Sequence, residues 1–247
     1  MWEICIESVD GHKDYIDYIK QKMKSTIKAV GGVFSECANN NIYSLAIGCK
    51  KQDKLKIAGV LRFVLCDVIC EKMKYDYLSK NVGLVPQESG YFYPFVKVLT
   101  YFDSELERQI VLRLLDLTPK LVLESFLNFR LKPLKAKWQE LCDLTNNNAG
   151  LFLQSETFLE LLKFLIANLD SKKDCVVVSM QDKCLIFEEK GKNLVALGSF
   201  EKNDEFGLLS QLIELSPQLI KVKNGSNNKK TTNILVNLFE GRVEIVK

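Results

Sequence analysis

Side chains that carry chemistry near neutral pH are scarce in this sequence. A single histidine, His12, occurs in 247 residues, and five of the 34 basic residues are arginine. General-base catalysis and zinc binding depend heavily on histidine, and His12 stands in a polar turn, so we expect a surface role for it. The net charge is only +3, and phosphate and base recognition rely on arginine, so we expect no nucleic-acid partner.

Cysteine is present but lacks a metal-binding pattern. None of the eight cysteines forms a Cys-x-x-Cys pair, and most lie in apolar runs where a free thiol packs as a small hydrophobe. Cys66 and Cys70 are four apart on a predicted helix, which fits half of a metal or redox site, or simple core packing. We expect core packing, eight free thiols in a reducing compartment, no metal and no cofactor.

Long uncharged apolar runs are also missing. The most apolar stretch, residues 55–70, carries Lys56, Arg62 and Asp67, whereas a bilayer span needs about 20 largely uncharged residues. The N-terminal residues lack the basic and apolar regions of a signal peptide. We therefore expect a soluble, cytoplasmic protein with no membrane partner.

Hydrophobic periodicity changes twice along the chain, and this predicts an α+β fold. Alternation and helical spacing in the first 50 residues predict a β-α-β-β unit, with Asn39–Asn41 as a hairpin turn. A helical middle follows, and then a small α/β unit with a parallel strand pair. The expected divisions are an N-terminal α+β unit running into a long helix, a helical region, and the C-terminal α/β unit, at residues 1–92, 93–170 and 171–247.

The helical middle gives three more specific predictions. Residues 93–117 are expected to form one helix. Residues 119–145 are expected to form another, with a kink or break near Lys132 because Pro133 cannot continue a helix. Glu105 and Arg108 are three apart, which predicts an ion pair on a solvent-facing helix surface.

A possible anion site lies near the C-terminus. Gly225, Lys230 and Thr231 belong to a segment between a predicted strand and a predicted helix, which is the setting of a phosphate-binding loop. That pattern needs glycine directly before the lysine, and Lys229 stands there instead. We expect a solvated loop that caps a surface helix and keep the anion site as the alternative.

One segment of the helical middle resembles a known family. Leu123–Lys132 reads LESFLNFRLK and resembles the LEGFINFRLK-like stretch of the YtxC-like sporulation proteins of spore-forming Firmicutes. The segment FLELLKFL at 158–165, a Val-rich strand, LIELSP at 212–217 and the closing FEGRV at 239–243 follow in the family's order. Ser125 replaces an expected glycine, and Pro133 interrupts what looks like a continuous helix in relatives.

The resemblance implies a sporulation-associated protein with no established enzymatic activity. Phe126 and Phe129 are three apart and are expected to face the core. The binding candidates from the family-like motifs are Asn128, Phe129, Arg130, Gly241 and Arg242. Arg130 is expected either to tie the helical middle to the C-terminal sheet or to line, with Arg242, a surface that a partner reads.

Two functions remain open at the level of sequence. In the first, the protein has no enzymatic activity and acts by binding an unknown protein partner. In the alternative, it is a nucleotide- or anion-binding regulator or enzyme that uses the strand, loop and helix at 219–239. No catalytic constellation is detected, which favours the first.

Overall fold

The computed structural model describes residues 1–9, 11–83, 90–148, 155–191, 193–223 and 228–246. The strands in this part of the chain are β1 Trp2–Ser8, β2 Val33–Asn39, β3 Ile42–Cys49, β4 Lys120–Val122, β5 Lys173–Met180, β6 Lys183–Lys190, β7 Asn193–Glu201, β8 Pro217–Lys223 and β9 Val243–Val246. The α-helices are α1 Lys13–Ala29, α2 Lys54–Asp67, α3 Lys74–Asn81, α4 Phe92–Tyr101, α5 Ser104–Leu114, α6 Leu123–Ser125, α7 Lys132–Asn147, α8 Ser155–Ala167, α9 Glu205–Leu215 and α10 Lys229–Leu238. The mixed α+β class is confirmed.

Spatial contacts group the chain into two compact units, and the chain passes between them more than once. One unit holds residues 1–77 and 103–141, and the other holds residues 78–102 and 142–247. The division of the chain at residues 92 and 170 stays a prediction about folding units. No helix in the described ranges is both long and apolar enough to cross a membrane.

The first unit is built on a four-stranded sheet in the order β2-β3-β1-β4. Alternation of apolar residues buries one face of β1 and β3, where Ile4 opposes Ile47 and Ile6 opposes Leu45. Residues of α1 at helical spacing pack into the same core, which they share with α2: Ile16, Ile19, Met23 and Ile27. The predicted β-α-β-β unit is confirmed, and Asn40 and Asn41 both have positive φ in the hairpin turn.

A long helix leads out of this sheet and changes its winding midway. A 3₁₀ turn at Lys51–Asp53 leads into α2, a π-helical segment at Val68–Met73 follows, and α3 completes the helix. The long helix expected to follow the N-terminal β-α-β-β unit is therefore present, while the π-helical segment was not predicted.

Two predictions about the helical middle were wrong in part. Residues 93–117 form two helices, α4 and α5, because Asp103 adopts the left-handed conformation between them. Residues 120–122 form strand β4 instead of helix, parallel to β1 with Leu121 opposite Ile6. The break near Lys132 is confirmed, since α7 begins there with Pro133 in its first turn.

The second unit holds a five-stranded sheet in the order β7-β6-β5-β8-β9. β5 and β6 form an antiparallel hairpin, and β8 is parallel to both β5 and β9. Val176, Val178, Ile220 and Val222 on neighbouring strands are fully buried. Helix α4 packs against α8 and α9, and Lys97 of α4 pairs with Glu214 of α9 at 2.9 Å. The predicted C-terminal α/β unit with parallel strands is confirmed.

Candidate protein-binding site

The family-like segment of the first unit contains a π-helical turn. After α6, residues Phe126–Arg130 form a π-helical turn, and the Leu131 N–H donates to the Phe126 carbonyl at 3.1 Å. Pro133 cannot donate a hydrogen bond from its nitrogen, so the following helix starts afresh at Lys132. Such π turns are uncommon and are frequent at functional sites.

The π turn changes which aromatic side chain faces solvent. Phe126 is 7% exposed and Leu127 is also buried, but Phe129 is 80% exposed. The prediction that both Phe126 and Phe129 face the core was therefore wrong for Phe129. An i→i+5 turn holds about one residue more than an α turn, so residue i+3 no longer returns to the face of residue i.

A groove of about 460 Å³ lies beside this turn. Its apolar lining includes Phe126, Phe129 and Leu114, and Leu114 is 42% exposed. Its polar lining includes Arg130 and Lys120. The exposed Phe129 and the groove thus belong to the same segment that resembles the family.

The cations of this groove are not equivalent. Lys120 Nζ lies 2.8 Å from a Glu7 carboxylate oxygen, and that hydrogen bond raises the pKa of Lys120. Arg130 is exposed and makes no ion pair or hydrogen bond with any described residue. Asn128 accepts a hydrogen bond from Lys135 Nζ at 2.7 Å, which fixes its amide on the helix surface. Arg130 is therefore the free cation among the described groove residues.

The groove also runs along the end of the first sheet. β4 is the last strand in the sheet order, and such an edge can accept another strand. The Thr118 hydroxyl already donates to the Lys120 carbonyl at 2.7 Å. This contact uses one of the two lone pairs of that carbonyl.

Gly241 and Arg242, the family-like residues near the C-terminus, lie in the second unit and build a turn. Gly241 has φ +75°, a conformation that glycine adopts most readily. Arg242 Nη2 donates to the Ala167 carbonyl at the end of α8 at 2.9 Å, and the Arg242 carbonyl accepts from the Ile220 N–H at 2.7 Å. These contacts connect α8, α10, β8 and β9, and they give both residues a role in the turn.

Two of the three anion-site candidates lie among the described residues, and Gly225 lies outside them. The predicted strand and helix on either side are present as β8 and α10. Lys230 forms an ion pair with Glu205, and the Thr231 N–H donates to the Asn228 side chain at 3.2 Å. The lysine and one helix N-terminal donor are therefore already engaged, and the anion-binding alternative stays a prediction.

The cysteine pair is buried between helices of the first unit. Cys66 Sγ and Cys70 Sγ are 4.0 Å apart, and both residues are fully buried. The shared hydrogen bond lowers the pKa of Cys66 and, together with burial, raises the pKa of Cys70. All eight cysteines are free, and no described group of three or more His, Cys, Asp or Glu side chains is arranged to hold a metal.

Arg108 bridges helices instead of pairing along its own helix. Its guanidinium contacts Asp67 and Glu71, each at 2.5 Å, so the predicted surface pair with Glu105 was wrong. Glu105 instead accepts a long hydrogen bond, 3.4 Å, from Gln109. Asp67 and Glu71 of the long helix each accept from a different guanidinium nitrogen of Arg108, so this arginine connects α5 to the long helix.

Sequence reasoning missed a buried charged network in the same unit. Lys74 is 1% exposed, and its Nζ lies 2.9 Å from the carboxylate of Glu107. The Trp138 indole N–H also donates to Glu107 at 2.9 Å. The sequence around each of these residues does not indicate the network, because the hydrogen-bonded partners are at least 31 residues apart.

Comparison with known proteins supports the resemblance seen in the motifs. No curated protein and no solved structure matches this chain. The model of the YtxC-like family matches residues 103–244, which is more than half of the chain and includes the groove segment from Leu114 to Arg130. The chain belongs to the YtxC-like family.

Proposed function

We propose that this protein acts in the cytoplasm of sporulating cells by binding a protein partner in the groove beside Phe129. One observation carries the proposal: Phe129 is 80% exposed next to Arg130, which pairs with no described residue, within the segment that the family model matches. Membership of the family supports the sporulation role. The absence of a catalytic constellation in the sequence favours binding over catalysis.

The chemistry of the groove suits a protein partner. Burying a phenylalanine side chain contributes about 1.5–3 kcal/mol relative to leaving it exposed. Aromatic residues and arginine are enriched at the centres of protein interfaces, where they carry most of the binding free energy. Phe129, Leu114 and Arg130 provide this combination on one surface.

The partner that fits presents an apolar side chain beside a carboxylate. The apolar side chain packs against Phe129 and Leu114, while the carboxylate receives two hydrogen bonds from the Arg130 guanidinium. Lys120 contributes less, because Glu7 already neutralises it. An acidic, amphipathic segment of a protein is therefore the ligand that we propose.

The test is capture of partners from sporulating cells with three baits. The first is the natural protein, the second carries Phe129→Ala and Arg130→Ala, and the third carries Phe164→Ala. Phe164 is 62% exposed in the second unit and serves as the matched exposed aromatic. We expect the natural bait and the Phe164 variant to capture the same protein, and the double variant to retain less than about one-tenth of it.

Equal capture by all three baits would contradict the proposal. The melting temperatures of the three proteins must agree, so that lost capture reports binding and not folding. Substitutions at exposed positions usually change stability by less than about 0.5 kcal/mol, which makes this condition attainable.

A further inference from the structure

Positive charge is concentrated in the N-terminal part of the chain. Residues 18–63 contain nine lysines and arginines but only two acidic residues, Glu36 and Asp53, although the whole chain has a net charge of +3. Glu36 is already paired with Lys20. This part of the first unit is therefore strongly cationic, and it lies outside the residues that the family model matches.

The packing of α1 against the long helix gathers these charges. Tyr15 donates to Asp76 of α3, and Tyr18 lies 3.4 Å from Asp67 at the end of α2. Since residue numbers rise along α1 while those of its partners fall, the two helices run antiparallel. The last turns of α1 therefore lie near the start of α2, and both segments carry exposed lysines: Lys24 and Lys28 in α1, and Lys50, Lys51, Lys54 and Lys56 in and just before the first turn of α2.

Two large apolar side chains project from the same region. Leu55 is 83% exposed and Phe63 is 61% exposed. They are eight residues apart on α2, or about 12 Å along its axis and about 80° around it, and both lie on the side opposite the buried Ile57, Leu61 and Val64. Gly59 between them is exposed, and a Cβ there would meet no atom within 4 Å. The exposed face of α2 therefore combines protruding apolar groups with surrounding cations.

We propose that this face, α2 from Lys54 to Phe63 with the lysines beside it, docks on an anionic lipid membrane. Leu55 and Phe63 enter the boundary between headgroups and acyl chains, and the ammonium groups contact lipid phosphates. Clustered lysines and arginines on an amphipathic helix favour anionic lipid surfaces, and exposed apolar side chains add insertion to that attraction. A nucleic acid gives Leu55 no such role and favours arginine, of which α2 has one, Arg62.

This docking differs from membrane spanning. The expectation of no membrane partner rested on the lack of an apolar run long enough to cross a bilayer, which a helix lying on the surface does not need. The docking face shares no residue with the groove beside Phe129, so each proposal can be tested independently of the other.

The test is cosedimentation of the whole protein with lipid vesicles. Vesicles of phosphatidylcholine with about 30% phosphatidylglycerol provide the anionic surface, and pure phosphatidylcholine vesicles provide the neutral one. We expect partition to the anionic vesicles at least about tenfold above that to the neutral ones, and we expect it to fall in about 0.5 M salt.

Matched variants distinguish insertion of Leu55 and Phe63 into the bilayer from nonspecific hydrophobic adsorption. Leu55→Ser with Phe63→Ser should reduce partition at least about tenfold, because both inserted side chains are lost. Leu144→Ser with Phe164→Ser removes two other apolar side chains, each 62% exposed, and should leave partition unchanged. Lys54→Glu with Lys56→Glu should also abolish partition.

Two results overturn the proposal. Equal partition to neutral and anionic vesicles, or none to either, removes the membrane as the ligand and leaves an acidic protein as the occupant of this face. Equal losses in the two apolar double variants show that α2 is not the docking element.

Discussion

At the scale of single residues, Arg130 is the groove cation whose side chain is available for a partner. It is exposed and makes no ion pair with a described residue. We predict that Arg130→Lys weakens partner binding by about 1 kcal/mol or more, because lysine cannot reproduce a bidentate fork. Lys132→Arg should leave affinity unchanged, and neither substitution should move the melting temperature. Isothermal titration with the captured partner provides the measurement.

If Arg130→Lys lowers the melting temperature without affecting affinity, the residue has a structural role that its exposure does not suggest. If both substitutions are silent in both measurements, the motif contributes only to helix packing. Either result argues against Arg130 as a binding residue.

Lys74 and Glu107 carry the most deeply buried charges described in the first unit. We predict that Lys74→Met destabilises the protein by about 3–5 kcal/mol, because it leaves the Glu107 carboxylate buried without its cation. Lys74→Met combined with Glu107→Gln should be less destabilised than Lys74→Met alone. Urea unfolding of the natural protein and the three variants measures this coupling, and additive losses contradict it.

The same carboxylate predicts a pH dependence. Burial raises the pKa of Glu107, and Lys74 and the Trp138 N–H only partly oppose that rise. The folded state therefore binds this proton more tightly than the unfolded state. The resulting stability is fully present below the unfolded pKa of about 4.3 and is lost as pH rises through the folded pKa.

Glu107→Gln isolates this effect, because glutamine does not titrate. The free energy of unfolding of the natural protein minus that of the variant should rise as pH falls from neutral toward the unfolded pKa. A difference that falls over this interval shows that the ion pair with Lys74, and not burial, dominates the pKa of Glu107.

At the scale of structural elements, two glycines both have room for a side chain but differ in backbone conformation. A Cβ on Gly59 in α2 or on Gly241 after α10 would meet no atom within 4 Å, but only Gly241 has a positive φ, +75°. We predict that Gly59→Ala stabilises the protein by up to about 1 kcal/mol, since alanine favours helix. Gly241→Ala should destabilise it by about 1–2 kcal/mol.

Chemical denaturation of both glycine variants provides the measurement, and each serves as the control for the other. The same sign of change in both shows that local conformation is not what distinguishes these positions. Stabilisation by Gly241→Ala contradicts the turn described between α10 and β9.

Elements with a local cause could be predicted from the sequence. The Asn-rich hairpin between β2 and β3 and the parallel strands around α10 follow from turn chemistry and from the length of a crossover connection. The break at Asp103 and the π turn at Phe126–Arg130 could not, because helical spacing continues through both. Tertiary packing decides them, and the exposed face of Phe129 depends on the second.

The candidate site could be predicted only as a segment. The resemblance at Leu123–Lys132 directed attention to Asn128, Phe129 and Arg130, but the groove also needs Leu114 and Lys120. These lie on α5 and β4, and no local pattern indicates that they meet. Lys74 and Glu107 escaped prediction for the same reason, because distant contacts and not spacing bring them together.

At the scale of the whole molecule, each unit is built from two separate stretches of the chain, so a fragment that lacks one stretch loses native contacts. The family-matched region begins at residue 103, but β4 in that region pairs with β1, where Leu121 opposes Ile6. We predict that a fragment of residues 103–247 leaves residues 103–141 without their native packing. Trp138 is the only tryptophan in this fragment and is 1% exposed in the full chain, so its fluorescence reports the outcome.

We expect the fragment to show the red-shifted emission of a solvated indole, and addition of residues 1–102 to shift it toward the blue. Full-length protein with Trp2→Phe provides the reference spectrum of a buried Trp138. A blue-shifted emission from the fragment alone contradicts the dependence of this region on the N-terminal sheet.

The central claim is that the groove beside Phe129 binds a partner during sporulation. The most direct measurement is the count of heat-resistant spores from cells whose only copy carries Phe129→Ala and Arg130→Ala, compared with the natural gene, a deletion and Phe164→Ala. We predict that the double variant lowers the count to the level of the deletion while protein abundance and melting temperature stay normal, and that Phe164→Ala matches the natural gene. A natural spore count from the double variant would contradict the claim.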